Sequence, residues 1–229
     1  MNAIALWVAS LPGAVGRIAA FEIGAVVVAT AGLCAICLLR TWLRFTGVAF
    51  VILAVLMAAH APRPDVLVSA NADAVAVRGP SGRLSILRSS SETLTARDWL
   101  SADGDARQPN DPALRSGFDC DDAACIARLA NGAIVSVART AHGLVEDCRH
   151  ADLVVTPREA PPNCRADVMD RRVLREGGAA AVERTVQGWR IERAIPPGTD
   201  RPWAHAHANT PVIRSSLPDA PPDDLGAGD

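Results

Sequence analysis

Cys125–Ala138 reads CIARLANGAIVSVA, two apolar runs of similar length on either side of an Asn131-Gly132 pair. Asn-Gly supplies the positive φ of a type I′ turn, so the stretch predicts a β-hairpin. Outward from it, the chain keeps to short segments separated by turn residues. Downstream, Ala141–His150 reads as a short helix and Leu153–Thr156 as a buried strand. Asp170–Glu176 reads as a helical turn, and Ala179–Thr185 with Trp189–Ala194 as a last hairpin around Gln187-Gly188. Upstream, the polar loop Gly104–Gly117 follows a helix at Thr95–Asp103 that turns Trp99 and Leu100 inward. Before it, Asp65–Ser69, Ala74–Arg78 and Arg83–Leu87 read as strands, the last two joined through Gly79-Pro80-Ser81-Gly82. The pattern implies an α+β domain over residues 61–195. Residues 196–229 are Pro-rich and acidic, ending DAPPDDLGAGD. A tail of that composition has too little apolar surface to order itself.

The first 60 residues have a different character. The whole chain of 229 residues is 49% hydrophobic with formal net charge -2. Residues 1–60 carry only Arg17, Glu22, Arg40 and Arg44 as charges. Ile23–Leu39 is an uncharged run, IGAVVVATAGLCAICLL, and Phe45–Ala59 is a second. With their flanks they approach the ~20 residues that cross a bilayer, so residues 21–60 are expected to form a two-helix transmembrane hairpin. Arg40 and Arg44 in the tight connection would then set the topology, holding the connection in the cytoplasm and residues 61–229 outside it. Residues 61–229 are then expected to face the periplasm or cell exterior, with the lipid bilayer as a partner. Residues 1–20, broken by Pro12-Gly13, read as an interfacial or membrane-packing segment. Small residues along Ile23–Leu39 predict close helix packing. This division excludes a purely soluble domain, and the net charge excludes a strongly basic nucleic-acid binder. All 23 basic residues are Arg, which reads as codon bias.

Six cysteines divide between the two parts. Cys34 and Cys37 fall in the first apolar run as small apolar residues. Cys120 and Cys125 bracket four residues at an expected hairpin end, near the separation a disulfide needs. Cys148 and Cys164 would form the second bridge, the most local of three connectivities. Free buried thiols and a zinc site are the rival readings, although the spacing lacks two close CxxC-type pairs.

Several stretches together resemble the ComEC-type competence proteins, in their alphaproteobacterial branch. WVASLPGAVGRIAAF (7–21) followed by two apolar runs is similar to the end of the family's membrane channel region. RPDVLVSANADAVAVRGPSGRLSIL (63–87), DWLSADGD (98–105), EDCRHADLVV (146–155) and RPW (201–203) resemble its C-terminal domain. The resemblance spans roughly residues 3–203. It implies a part in carrying single-stranded DNA into the cytoplasm during transformation, beside the remaining membrane helices of the channel and other competence proteins. The membrane it implies is the bacterial inner membrane, crossed more than once by a multi-pass protein. It also implies a C-terminal fragment or an internal start at Met1, since family members carry a long membrane region upstream. Many relatives end in a metallo-β-lactamase-like domain whose HxHxDH pattern holds metal and activates water. Here the histidines are His60, His142, His150, His205 and His207. His205-Ala206-His207 is followed by Asn209 and Thr210 where Asp and His are wanted. The expected fold is thus a degenerate metallo-β-lactamase-like domain without metal ligands, catalytic residues or cofactor.

The remaining candidates read mostly as ordinary surface. Arg165, Arg171, Arg172 and Arg175 form a basic cluster able to touch a phosphate backbone, with Asp167, Asp170 and Glu176 interleaved. Asp103-Gly104-Asp105 has too few oxygen ligands for a cation loop and reads as solvated. Cys148 and His150, two apart on a helix, point in different directions. No G-x-S-x-G elbow occurs. The expected function is that of a non-catalytic accessory domain on a membrane anchor. A membrane-anchored, metal-dependent nuclease with an unrecognised site is the alternative.

Overall fold

The computed structural model describes Trp7 and residues 23–199. The chain divides at Pro196 into two units. Residues 1–20, apart from Trp7, and the tail from 200 lie outside the described residues, as do His205 and His207.

Residues 23–59 of the first unit form a helical hairpin, α1 (Ile23–Leu38) and α2 (Arg44–Ala59), each of 16 residues. At ~1.5 Å per residue such a helix is about 24 Å long, short of the ~30 Å of hydrocarbon in a bilayer. Among the described residues no helix is long and apolar enough to cross a membrane. This corrects the two expected transmembrane helices and, with them, the multi-pass inner-membrane location. The topology role expected of Arg40 and Arg44 rested on those spans. Both arginines are exposed beside the connection, and the Arg44 guanidinium lies 5.2 Å from the centre of the Phe45 ring. The small residues act between the two helices: a Cβ on Gly47 would fall 2.5 Å from the Gly32 carbonyl oxygen. Gly32 and Gly47 are buried there, whereas large apolar side chains such as Ile23, Val27, Phe45 and Leu56 are exposed.

Residues 66–193 build two five-stranded sheets. The strands are β1 (Val66–Val68), β2 (Ala74–Arg78), β3 (Leu84–Arg88), β4 (Phe118–Cys120), β5 (Ala124–Arg128), β6 (Ile134–Ala138), β7 (Leu153–Val155), β8 (Asp167–Met169), β9 (Ala180–Thr185) and β10 (Gly188–Arg193). Sheet A has the order β10-β9-β1-β2-β3 and is antiparallel throughout. Sheet B has the order β4-β5-β6-β7-β8, antiparallel to β6 and parallel from β6 to β8. Val66, Val75, Val77 and Val182 of sheet A share one buried cluster with Cys125, Val135, Leu153 and Met169 of sheet B. The sheets therefore pack face to face.

Each sheet carries a helix on its other face. On sheet A, α3 (Thr93–Asp103) sets Ala96 and Leu100 against Ala76, Leu84 and Ile86. On sheet B, α4 (Ala141–His150) sets Leu144 and Cys148 against Ala138 and Val154. Strands covered on both faces cannot alternate with polar residues, which is why β2 (AVAVR) and β7 (LVV) are nearly continuous apolar runs. Each large aliphatic side chain so covered contributes roughly 1.5–3 kcal/mol. A further helix, α5 (Arg171–Gly177), leads from sheet B back to sheet A.

The layers contain an internal duplication. Ala74–Arg88 and Ala124–Ala138 each form a hairpin, and each hairpin is followed by the covering helix of its sheet. The two turns share their hydrogen bonds. Gly82 N–H donates to Gly79 O (2.9 Å) and Gly79 N–H to Arg83 O (3.2 Å). Gly132 N–H donates to Leu129 O (3.0 Å) and Leu129 N–H to Ala133 O (2.9 Å). Gly82 (φ 73°) and Gly132 (φ 85°) have positive φ, while Asn131 does not. The expected type I′ turn is thus a type I turn closed by a left-handed glycine, a three-residue loop with a bulge.

Candidate functional site

The exposed cations with the most organised placement stand at the carboxyl ends of the parallel strands. Arg139 follows β6, Arg158 follows β7, and Arg171 follows β8 at the start of α5. Hydrogen bonds to backbone carbonyls, one from a side chain and one from the backbone, hold the three in a row. The Arg158 Nε–H donates to Arg139 O (3.3 Å), and the Arg171 N–H donates to Arg158 O (3.1 Å). Thr156, fully buried at the end of β7, donates to Ala138 O (3.3 Å) and accepts from the Arg158 N–H (3.2 Å). Asp170 caps α5 by accepting from the Val173 N–H (2.9 Å) and holds the preceding loop by accepting from the Ala160 N–H (3.2 Å). Arg172 and Arg175 continue the exposed basic surface along α5. Among the described residues no ion pair involves Arg139, Arg158, Arg171, Arg172 or Arg175. The surface is still mixed, since Glu159 and Glu176 are exposed on it. Asp121 also feels Arg139, but its carboxyl is held below the usual range first by the Ala124 and Ala123 N–H groups.

Of the four arginines grouped from the sequence, Arg171, Arg172 and Arg175 stay together on α5. Arg165 does not join them: it precedes β8, at the opposite end of that strand, where its N–H donates to Cys148 O (3.1 Å). Arg139 and Arg158 were missed. Their signal is an arginine at or just beyond the end of an apolar run, at Ala138-Arg139 and Thr156-Pro157-Arg158.

The cysteines of the sandwich are bonded as Cys120–Cys125, directly paired across β4 and β5, and Cys148–Cys164. The second bridge ties the end of α4 to the loop that returns to β8. Arg165 and Ala166 N–H groups, both donating to Cys148 O, reinforce it. Cys34 and Cys37 are free and exposed.

Asp103-Gly104-Asp105, read as a solvated loop, is instead a pair of nearly buried ion-pair anchors. Asp103 receives Arg78 through both guanidinium nitrogens, at 2.7 and 3.3 Å. Asp105 receives Arg107 at 2.6 Å, and that side-chain hydrogen bond holds its carboxyl below the usual range against the opposing effect of burial. Inside sheet B, the Ser136 hydroxyl donates to Asp147 (2.6 Å), both buried, while His142 and His150 are exposed on the same helix. No relay of serine, histidine and aspartate forms from these.

At the other end of the strands a cleft of about 500 Å³ opens between the Asn131-Gly132 turn, Asp152 and the β9–β10 turn at Arg184–Val186. The Arg184 guanidinium lies 4.8 Å from the centre of the Trp189 ring. Asp152 is held by the Ile134 N–H (2.8 Å). Among the described residues no group of three or more His, Cys, Asp or Glu side chains could hold a metal ion. Comparison of the chain with protein-family models, curated proteins and solved structures finds no match.

Proposed function

We propose that this chain is a non-catalytic accessory module of a ComEC-type DNA-uptake system, touching incoming single-stranded DNA through its phosphates. The observation that carries the reading is where the residues of the resembling stretches go. Residues 63–87 supply β1, β2 and most of β3. In DWLSADGD, Leu100 enters the core and both Asp103 and Asp105 bind arginines. In EDCRHADLVV, Asp147 binds Ser136, Cys148 is bridged, and Leu153–Val155 form β7. In these stretches Asp103, Asp105, Asp147 and Cys148 are committed to holding the layers together.

Arg139, Arg158, Arg171, Arg172 and Arg175 remain for an anionic partner. Guanidinium groups match phosphate oxygens in pairs, and contacts of that kind give affinity without sequence preference. Fluorescence anisotropy of a labelled oligodeoxynucleotide, titrated with the full chain at several salt concentrations, tests the reading. About three phosphate contacts predict a log–log salt slope near -2 on a single strand. Arg171→Ala/Arg172→Ala/Arg175→Ala should flatten that slope and weaken binding. No binding at low salt would overturn the reading, and cutting of the oligonucleotide on adding Mg²⁺, Mn²⁺ or Zn²⁺ would replace it with the nuclease.

A further inference from the structure

We infer that the free edge of sheet A, strand β10, is a docking surface for a second copy of this chain. β10 ends the sheet order, so among the described residues no strand neighbours its other side. The Ala194 N–H donates to Ala179 O (2.8 Å), which fixes the alternation of the ladder. Gly188, Arg190 and Glu192 turn their backbone groups toward β9. Trp189, Ile191 and Arg193 turn theirs away from the sheet. Among the described residues no hydrogen bond from outside sheet A reaches those outward groups. Arg190, Ile191, Glu192 and Arg193 are exposed. An open edge of this kind is a template for another strand unless its side chains forbid pairing.

Here the side chains select one pairing. In an antiparallel pair centred on Ile191, Ile191 faces itself and Trp189 faces the partner's Arg193. These are the residues with outward backbone groups, so every outward N–H meets a carbonyl. The same register sets Arg190 opposite the partner's Glu192, and Glu192 opposite the partner's Arg190. Directly opposed residues point to one face, so both ion pairs lie together on the outer face, beside the Arg190–Glu183 pair already within the sheet. Sliding the pair by two residues either way sets Arg190 against Arg190 or Glu192 against Glu192, which is repulsive. The strand sequence Trp189-Arg190-Ile191-Glu192-Arg193 is therefore complementary to itself in a single two-fold register.

Sedimentation velocity on the full chain tests this with two charge variants. Glu192→Arg makes both outer-face positions of the edge basic, and Arg190→Glu makes both acidic. Both positions are exposed, and circular dichroism checks that each variant keeps its fold. The wild type should self-associate, and each variant alone should associate at least about tenfold more weakly, since both ion pairs become repulsions at once. An equimolar mixture of the two should recover the association, because the basic edge then meets the acidic one. Arg190→Glu/Glu192→Arg together should restore self-association. A wild type that stays monomeric overturns the inference. So does association indifferent to the substitutions, as apolar contact through α1 and α2 would give, or single variants that fail to complement.

Discussion

The two hairpin-and-helix units share a turn, a register and a covering helix, yet they are fastened by different chemistry. In the first, β2 is tied to the end of α3 by Arg78 and Asp103, and Asp105 holds Arg107 close by. In the second, Arg128 stands at the position of Arg78 and makes no ion pair among the described residues. There the end of α4 is held by the Cys148–Cys164 bridge, and the entering strand by Cys120–Cys125. One half depends on charge and the other on oxidation, so the two should fail under different conditions. The layering itself comes from apolar burial common to both.

The sharpest way to separate the halves is to remove the longer bridge. Cys148→Ser/Cys164→Ser opens a loop with a sequence separation of 16 and should cost about 3 kcal/mol on the loop-entropy model. Hydrogen exchange should locate the loss in β7, β8 and α4 and leave β2 and β3 protected. Equal loss in both sheets would mean that they unfold as one cooperative unit. Next in size is Arg78→Ala, which leaves Asp103 nearly buried without its partner and removes donors from Pro64 O and Gly82 O. Urea denaturation should show a loss of about 2 kcal/mol, below the range for fully buried pairs because both groups keep some exposure. Reducing agent should leave that loss unchanged.

Acid should also distinguish the halves. The Asp105 carboxyl is depressed in the folded chain, so its stabilisation is complete above the unfolded pKa near 3.8 and fades as pH falls through the lower folded value. Thermal melts from pH 5 to pH 2 should show this loss, and Asp105→Asn should remove the part belonging to the first half. Asp121 is depressed too and contributes an acid response to the second half that survives Asp105→Asn. The smallest effect tests the likeness itself. Gly82 and Gly132 both have positive φ and open space where a Cβ would go. Alanine at either should therefore cost only the left-handed penalty, about 1 kcal/mol. A marked difference between them would show that the two turns are not equivalent.

Much of the sandwich was legible because its strands are short apolar runs bounded by glycine, proline and asparagine. The hairpins at 74–88 and 124–138 and the helices over α3 and α4 could be read this way. The three-residue strands β4 and β8 could not, since FDC and DVM carry no period of their own and become strands by pairing with neighbours already in place. The hairpin of α1 and α2 was misread because the flanks were counted toward the length that crosses a bilayer, whereas each helix has 16 residues and the second begins only at Arg44, after Trp42 and Leu43. The duplication escaped the sequence because it survives as turn geometry and burial order more than as identity. Of the basic surface, the arginines close in sequence on α5 were visible. Arg139 and Arg158 join them only through the parallel order of β6, β7 and β8.

The place of β1 bears on the order in which the chain can finish itself. β1 lies between β2 and β9, and the Asp65 carboxylate just before it receives the N–H of Arg184, 119 residues further along. At ~5–20 residues per second of synthesis, β1 waits roughly 6 to 24 s for that partner. Sheet B needs nothing beyond Met169 and can close first. During translation the nascent protein thus holds a finished sheet beside an apolar strand with one open edge. The β9–β10 hairpin, made only after sheet B, is the one that seals it.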